Sequence, residues 1–238
     1  MADRATSTVV LVHGGWHGGW CWRDVVPLLR AAGDQVLVPT LTGLGDRAHL
    51  LDRKVDLELH VRDLLEVLHH EDVRDAVLVA HSYGGMVAAG VADRAPERVA
   101  HVVYLDAFVP AGGLSLFDIL LPERREMYAE SAREDGDGWL VPSPPPQAFG
   151  VTDAEAVRWA QERLRPQPLR TFEQPLPLTS PPGTGVPCSF IHCTEGPAAP
   201  NFARFARHAA ELGWRTRELP TGHDAMITMP RELAALLQ

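Results

Sequence analysis

The chain has 238 residues, 45% of them hydrophobic and 22% charged, which excludes a disordered chain and predicts one or two globular domains. Its 22 basic and 31 acidic residues give a net charge of −9, which argues against nucleic acid or an anionic membrane as a partner. No apolar run approaches the roughly 18 residues of a membrane span, and no signal segment is visible before His13. Three cysteines do not make a disulfide framework, so we expect a cytoplasmic protein with free thiols.

Short β-rich runs alternate with helical patterns along most of the chain. The strands predicted from these runs cover residues 8–13, 35–38, 76–81, 101–105, 187–194 and 215–219. The predicted helices cover residues 22–32, 56–70, 83–93, 153–164 and 201–212, with a last helix from Pro230. This alternation predicts an α/β fold, a mostly parallel, doubly wound sheet whose ligands bind beyond the carboxyl ends of the strands.

A proline-rich segment interrupts the alternation. Eleven of the 20 prolines lie between Pro142 and Pro187. Because proline lacks a backbone donor, this stretch cannot be central sheet. We therefore predict a core over residues 1–107, an inserted cap over residues 108–186 and a second part of the core over residues 187–238.

A candidate nucleophile lies where the third predicted strand meets a helix. The segment Ala80-His-Ser-Tyr-Gly84 places Ser82 in a strand–turn–helix setting that is typical of a nucleophile elbow. The usual pattern is G-x-S-x-G, and here alanine replaces the first glycine. A serine that only caps a helix is the plainer interpretation, so the hypothesis depends on the partners that Ser82 has elsewhere in the chain.

Two further loops supply such partners. After the first strand comes HGGWHGGW, whose glycines let backbone N–H groups point into a site, and we predict the amides of Gly15 and Tyr83 as an oxyanion hole. In the last loop, TGHDAM places His223 as the general base, in the chain order serine, acid, histidine. His13 and His17 are expected to be structural and to bond the loop backbone. No metal is predicted, because the intervening glycines disfavour the helix that would make their spacing a zinc site.

Taken together, HGGWHGGW, HSYGGM, YLDAFVP, CTEGPAAP and GHDAM resemble the α/β-hydrolase superfamily, in particular its branch of plant methylesterases, hydroxynitrile lyases and bacterial esterases. The lyases of that branch carry threonine and lysine where this chain has Gly14 and Asp224. The resemblance therefore implies ester hydrolysis and not cyanohydrin cleavage, which needs a cation for the leaving anion.

The family's triad acid is missing from its usual place. The family pattern resembles C-T-E-D, and here Gly196 replaces the aspartate. We predict that Asp106, at the end of the preceding core strand, orients His223 instead. The alternatives are that Glu195 reaches it from one residue away, or that there is no acid at all.

The cap is expected to close over Ser82 with apolar walls, which suits a small, hydrophobic or aromatic carboxylic ester. The predicted pocket residues are Trp16, Phe108, Trp139 and Met226. We expect a serine esterase that works through an acyl-enzyme, needs no cofactor and has a small-molecule ester as its partner, with a homodimer left open. The alternatives are a lyase, cyclase or thioesterase of small-molecule biosynthesis on the same scaffold, or a small-ligand binding protein with weak turnover.

Overall fold

The computed structural model describes residues 7–238 and is built around a parallel sheet. Residues 1–6 lie outside this range, and they belong to the segment before His13 in which no secretory signal was predicted. The strands within it are β1 (Thr8–Val12), β2 (Gln35–Leu37), β3 (Ala76–His81), β4 (Val99–Leu105), β5 (Leu140–Val141), β6 (Gln167–Pro168), β7 (Cys188–Cys193) and β8 (Arg215–Leu219). Six of these described strands form the main sheet, in the order β2-β1-β3-β4-β7-β8, and every neighbouring pair is parallel.

Helices cover both faces of this sheet. The helices within residues 7–238 are α1 (Val26–Ala31), α2 (Leu57–His70), α3 (Gly84–Arg94), α4 (Leu116–Ile119), α5 (Pro122–Asp135), α6 (Ala154–Gln161), α7 (Arg170–Glu173), α8 (Ala199–Glu211), α9 (Ala225–Thr228) and α10 (Pro230–Leu237). Along β1, Val10 and Val12 pack into one apolar cluster while Val9 and Leu11 pack into another. Both sides of the strand are buried, which is why its sequence is a continuous apolar run. The predicted α/β fold is confirmed.

The predicted elements differ from the observed ones mainly at helix starts. The helix expected from Trp22 begins at Val26, because Gly19–Trp22 forms a 3₁₀ turn and proline occupies the first turn of α1. The start of α2 is fixed by Asp56, whose carboxylate accepts a hydrogen bond from the N–H of Leu59 at 3.0 Å.

The segment between β4 and β7 takes no part in the main sheet, and residues 108–186 are called the cap below. Among the described strands, β5 pairs only with β6, in antiparallel register. The cap also contains α5, a fourteen-residue helix that the sequence analysis missed because PERREMYAESARED has no apolar stripe.

Within residues 7–238, no helix combines the length and apolar character needed to cross a bilayer. The three cysteines are free and buried, as predicted. A cytoplasmic location and a homodimer stay predictions.

Candidate active site

Three predicted site residues follow parallel strands that end at the same edge of the sheet. Ser82 follows β3, Asp106 follows β4, and His223 lies in the loop after β8. Ser82 and Asp106 have positive φ angles of 53° and 41°, and Trp16 in the glycine-rich loop has 65°. Side-chain-bearing residues rarely adopt this conformation, and such strain persists where the surrounding structure holds it for a function.

The turn at Ser82 is held between two strand ends. The N–H of Ser82 donates to the carbonyl of Leu105, and the Ser82 carbonyl accepts from the N–H of Phe108. Both glycines after Tyr83 are sterically required: a Cβ on Gly84 would lie 2.8 Å from the carbonyl oxygen of His13, and one on Gly85 would lie 2.2 Å from that of Phe108. The S-x-G-G sequence therefore reflects a tight approach of helix α3 to two neighbouring loops.

The imidazole of His223 is held by a buried carboxylate. Nδ1 of His223 donates to Oδ2 of Asp106 at 2.7 Å, and both residues are buried. The other carboxylate oxygen accepts from Nδ1 of His192 at 2.9 Å and from the N–H of Cys193 at 3.1 Å. Since Asp106 only accepts, the proton of His223 is on Nδ1, and Nε2 is left as a base for Ser82.

The other carboxylate considered is in a different environment. The side chain of Glu195 is exposed, while its N–H donates to the carbonyl of Thr221. Gly196, at the family's usual acid position, has a φ of +80°, which disfavours any residue with a side chain. The structure thus brings Asp106, not Glu195, to His223. The second imidazole on Asp106, His192, was missed; its only signal was a histidine near the end of a predicted strand.

The glycine-rich loop lies directly against Ser82. A Cβ on Gly14 would lie 2.9 Å from the Cβ of Ser82. Within the described part of the chain, neither the N–H of Gly15 nor that of Tyr83 donates to another protein group. Both amides are thus available as donors to a ligand.

The peptide between Gly15 and Trp16 is held from both sides. Its carbonyl oxygen lies 2.6 Å from Nδ1 of His17, and its N–H donates to Oε1 of Gln167 in the cap at 2.9 Å. Gln167 is itself oriented by a 2.7 Å hydrogen bond from its Nε2 to the hydroxyl of Thr171. Core and cap thus jointly fix the conformation of the glycine-rich loop.

A second buried carboxylate–imidazole pair lies behind this loop. Nε2 of His17 lies 3.0 Å from Oδ2 of Asp224. Burial opposes the charged form of His17, but the Asp224 carboxylate and its hydrogen bond outweigh burial and raise the pKa of His17. Asp224 is buried and does not line the cavity, so it has no contact with a leaving group there.

The other histidine of the loop is neutral. Nε2 of His13 accepts from the N–H of Leu41 at 3.0 Å, so the proton is on Nδ1, which donates to the carbonyl of Gly14 at 2.8 Å. Burial, which the hydrogen bond to Gly14 only partly offsets, lowers the pKa of His13 to about 3. Both loop histidines bond the loop backbone, as predicted.

A cavity of about 350 Å³ opens above Ser82 and His223. Phe202 forms part of its wall and stacks on the ring of His223, with ring centroids 4.6 Å apart. The remaining lining is mainly apolar and aromatic, from both core and cap: Trp16, Tyr83, Phe108, Leu116, Leu120, Leu121, Met127, Tyr128, Phe149 and Phe172.

Two of the four predicted pocket residues, Trp16 and Phe108, line this cavity, and the other two do not. Met226 is fully buried in the apolar cluster on the side of the sheet that contains Val9 and Leu11. Trp139 is part of the cap, but its ring lies under the guanidinium of Arg53 at 4.9 Å. Both predictions failed for the same reason: whether a side chain points into the cavity depends on tertiary packing, which the local sequence does not determine.

Three buried side chains bring potential metal-binding atoms within 4.8 Å of one another: His81, His223 and Asp224. Two of the ring nitrogens are already engaged, since His223 Nδ1 bonds Asp106 and His81 Nε2 donates to the carbonyl of His223 at 3.1 Å. These hydrogen bonds position the His223 loop, and no metal enters the function proposed below.

The model of the alpha/beta hydrolase family matches residues 9–236. The chain belongs to the α/β-hydrolase family. It is 43% identical over 236 residues to a carbendazim hydrolyzing esterase from Nocardioides sp. (strain SG-4G). This match covers 96% of this chain and 97% of the relative. Methylesterase 9 of Arabidopsis thaliana is 43% identical over 102 residues, 42% of this chain and 40% of the relative.

Solved structures agree on the fold. An extracellular alpha/beta-hydrolase from a Paenibacillus species, described as homologous in structure and function to tobacco salicylic acid binding protein 2, superposes with a TM-score of 0.82. It is 24% identical to this chain, and the match covers 97% of both.

The predicted membership of the branch with methylesterases and bacterial esterases is confirmed, and so is the prediction of a carboxylic ester hydrolase.

Proposed function

We propose that this α/β-hydrolase cleaves small carboxylic esters with a hydrophobic or aromatic part, through an acyl-enzyme on Ser82. The observation that carries the proposal is the 2.7 Å hydrogen bond between Asp106 and His223, next to a serine with a φ of 53° that lines the same cavity. This arrangement has the parts of a serine hydrolase triad, although its acid follows β4 and not β7.

In the first half-reaction, Oγ of Ser82 attacks the ester carbonyl carbon while its proton moves to Nε2 of His223. Asp106 keeps His223 in the required tautomer and stabilises the imidazolium that forms. The N–H groups of Gly15 and Tyr83 donate to the oxyanion, and each such donor typically contributes about 10²–10³-fold to turnover. His223 then gives its proton to the leaving oxygen, the C–O bond breaks, and the alcohol departs.

In the second half-reaction, water attacks the acyl carbon of Ser82 and His223 takes its proton. The tetrahedral intermediate collapses, His223 returns a proton to Oγ of Ser82, and the carboxylic acid leaves. The base is the same in both halves, so one imidazole with a fixed Nδ1 partner serves the whole cycle.

The cavity supports the choice of substrate. A space of about 350 Å³ lined mainly by aromatic and aliphatic side chains fits one small ligand that has a flat or branched apolar part. Carbendazim, for which the Nocardioides relative is named, is therefore a direct candidate substrate.

Trapping the covalent intermediate tests this proposal. Wild type and the Ser82→Ala variant are incubated with an organophosphate ester that phosphorylates nucleophilic serines, and intact masses are measured. We expect one adduct on wild type, mapped to Ser82 by peptide mass spectrometry, and none on the variant. Hydrolysis of carbendazim and of p-nitrophenyl butyrate is measured on the same samples. Ester hydrolysis without a Ser82 adduct would contradict the acyl-enzyme, and ligand binding without turnover would favour a binding protein.

A further inference from the structure

Two arginines line the cavity that contains Ser82 and His223. They are Arg124 on the cap helix α5 and Arg204 on the core helix α8. Phe202, two residues before Arg204, stacks on the catalytic imidazole. One continuous cavity therefore spans the reacting centre and both guanidinium groups, in a protein whose net charge is −9.

The fold brings the two guanidinium-bearing segments together. The guanidinium of Arg204 donates to the carbonyl of Ile119, at the end of α4. The chain continues through Leu120 and Leu121, both of which line the cavity, to Arg124 in the first turn of α5. Arg204 thus reaches from the core to the segment of the cap that carries Arg124.

Neither arginine is neutralised in the part of the chain that the structure describes. Among residues 7–238, no aspartate or glutamate lines the cavity, and neither Arg124 nor Arg204 has a carboxylate oxygen within 4.0 Å. Glu123 is exposed and outside the lining, where its charge acts on Arg204 from a distance. Cations with no carboxylate partner that face a mainly apolar cavity attract an anion.

Bonds within the protein occupy only part of the donor capacity of these side chains. Arg204 uses one terminal nitrogen for Ile119, lies against the ring of Phe205 at 4.6 Å, and has a buried Nε without an acceptor among the described residues. An anchor between core and cap would need a single N–H, whereas a guanidinium presents five. Asn201, one turn before Arg204 on α8, adds an amide to the same wall.

We propose that Arg124 and Arg204 form an anion subsite, so that among esters of similar size and reactivity the enzyme prefers those that carry a carboxylate on the part remote from the scissile bond. This inference rests on the proposed function and narrows its substrate class. The reacting ester lies at Ser82, the apolar walls hold the body of the molecule, and the guanidinium groups hold the remote carboxylate by charge-assisted hydrogen bonds.

Matched pairs of esters test the subsite. The first pair is monomethyl terephthalate, whose carboxylate is on the acyl side of the ester, and its neutral counterpart methyl 4-carbamoylbenzoate. The second pair is 4-(acetoxymethyl)benzoate, whose carboxylate is on the alcohol side, and its neutral counterpart 4-(acetoxymethyl)benzamide. Each pair differs by a carboxylate against a neutral amide of the same shape, and rates of alkaline hydrolysis correct for intrinsic reactivity. The readout is the ratio of kcat/KM for the anionic and the neutral ester.

We expect wild type to prefer the anionic ester in at least one pair by about tenfold or more. Arg124→Gln and Arg204→Gln should each lower the ratio, and the double variant should bring it near one, while Arg133→Gln, an exposed position on α5, should keep the wild-type ratio. Because the ratio is taken within one protein, a general loss of activity cancels. Should Arg204→Gln fold poorly, Arg124→Gln alone gives the comparison, because it removes one of the two charges and leaves the bond from Arg204 to Ile119 in place.

A wild-type ratio near one in both pairs would overturn the inference, as would a double variant that keeps the wild-type ratio. Failure of the proposed function gives a different result: no Ser82-dependent hydrolysis of any ester, p-nitrophenyl butyrate included, which would remove the basis of the subsite as well. High salt supplies an independent check, since 0.5 M NaCl should lower the wild-type preference by screening and leave the neutral ester's kcat/KM nearly unchanged.

Discussion

Replacing Asp106 by asparagine tests the unusual position of the triad acid. The change is nearly isosteric, and the asparagine Oδ1 can still accept from Nδ1 of His192 and the N–H of Cys193, as the aspartate does at 2.9 and 3.1 Å. Asparagine also tolerates the φ of 41° at this position. We therefore expect the variant to fold.

The chemistry should nevertheless be lost. The asparagine NH₂ would replace the oxygen that lies 2.7 Å from Nδ1 of His223 and would donate to that nitrogen. The proton of His223 then moves to Nε2, so the ring cannot take a proton from Ser82. An aspartate-to-asparagine change of this kind lowers kcat by about 10⁴-fold, which is about 5.5 kcal/mol of transition-state stabilisation.

The assay is steady-state hydrolysis of p-nitrophenyl butyrate by wild type, Asp106→Asn and Glu195→Gln, with the melting temperature of each protein as the control for folding. We expect Glu195→Gln to stay within about twofold of wild type, because its side chain is exposed and surface substitutions rarely matter. A kcat within tenfold of wild type for Asp106→Asn would refute the reasoning, and a selective loss in Glu195→Gln would move the acid to Glu195.

Three further outcomes are expected from the loops around the site. His17→Gln should lower kcat about 10²-fold with little change in KM, because it frees the Gly15–Trp16 peptide that positions one oxyanion donor. Gly85→Ala should lower the free energy of unfolding by about 2 kcal/mol or more, and the melting temperature with it, because the new methyl group would lie 2.2 Å from a carbonyl oxygen. Unchanged denaturation curves would contradict the packing described. His13 is neutral in the fold with a pKa of about 3, so its contribution to stability is complete above its unfolded value of 6.5 and is lost as pH falls toward 3. Denaturant titrations at several pH values between 6 and 4 give the free energy of unfolding as a function of pH. In His13→Asn this free energy should fall less steeply with decreasing pH than in wild type, by about 1.4 kcal/mol per pH unit, and equal pH dependence in the two proteins would refute this.

Local sequence patterns were enough to predict the frame of the site. The alternation of strands and helices, the S-x-G-G turn and the final histidine loop each depend on a few neighbouring residues. Ala76–His81 and Arg215–Leu219 match the predicted strands residue for residue. The first is buried and has a continuous apolar run, whereas the second is a mostly exposed strand at the edge of the sheet. The edge of the sheet at which these loops meet then follows from topology alone.

The sequence favoured Asp106 as the acid but could not exclude the alternatives. Asp106 and His223 are 117 positions apart, so local pattern left open both Glu195 and the absence of an acid. What distinguishes them is tertiary: β4 lies between β3 and β7, so a residue at its end lies close to the serine loop, whereas Glu195 points to solvent. The φ of +80° at Gly196, which disfavours the family's usual residue there, is likewise invisible in a single sequence.

The direction of side chains near the cavity was also beyond local pattern. Trp139 and Met226 were expected as apolar walls of the pocket, yet packing turns both away from it. Conversely, the sequence analysis did not single out Arg204, which lines the cavity and contacts Ile119 across the core–cap boundary.

The central claim is that Ser82 is the nucleophile of an esterase, and hydrolysis of p-nitrophenyl acetate and butyrate by wild type and Ser82→Ala, measured side by side, tests it most directly. Ser82 is only 7% exposed and lines the cavity, so its change to alanine removes the hydroxyl without disturbing the buried Asp106–His223 pair. We predict that wild type turns over both esters and that Ser82→Ala falls to the uncatalysed rate or close to it. Equal rates in the two proteins would contradict the account.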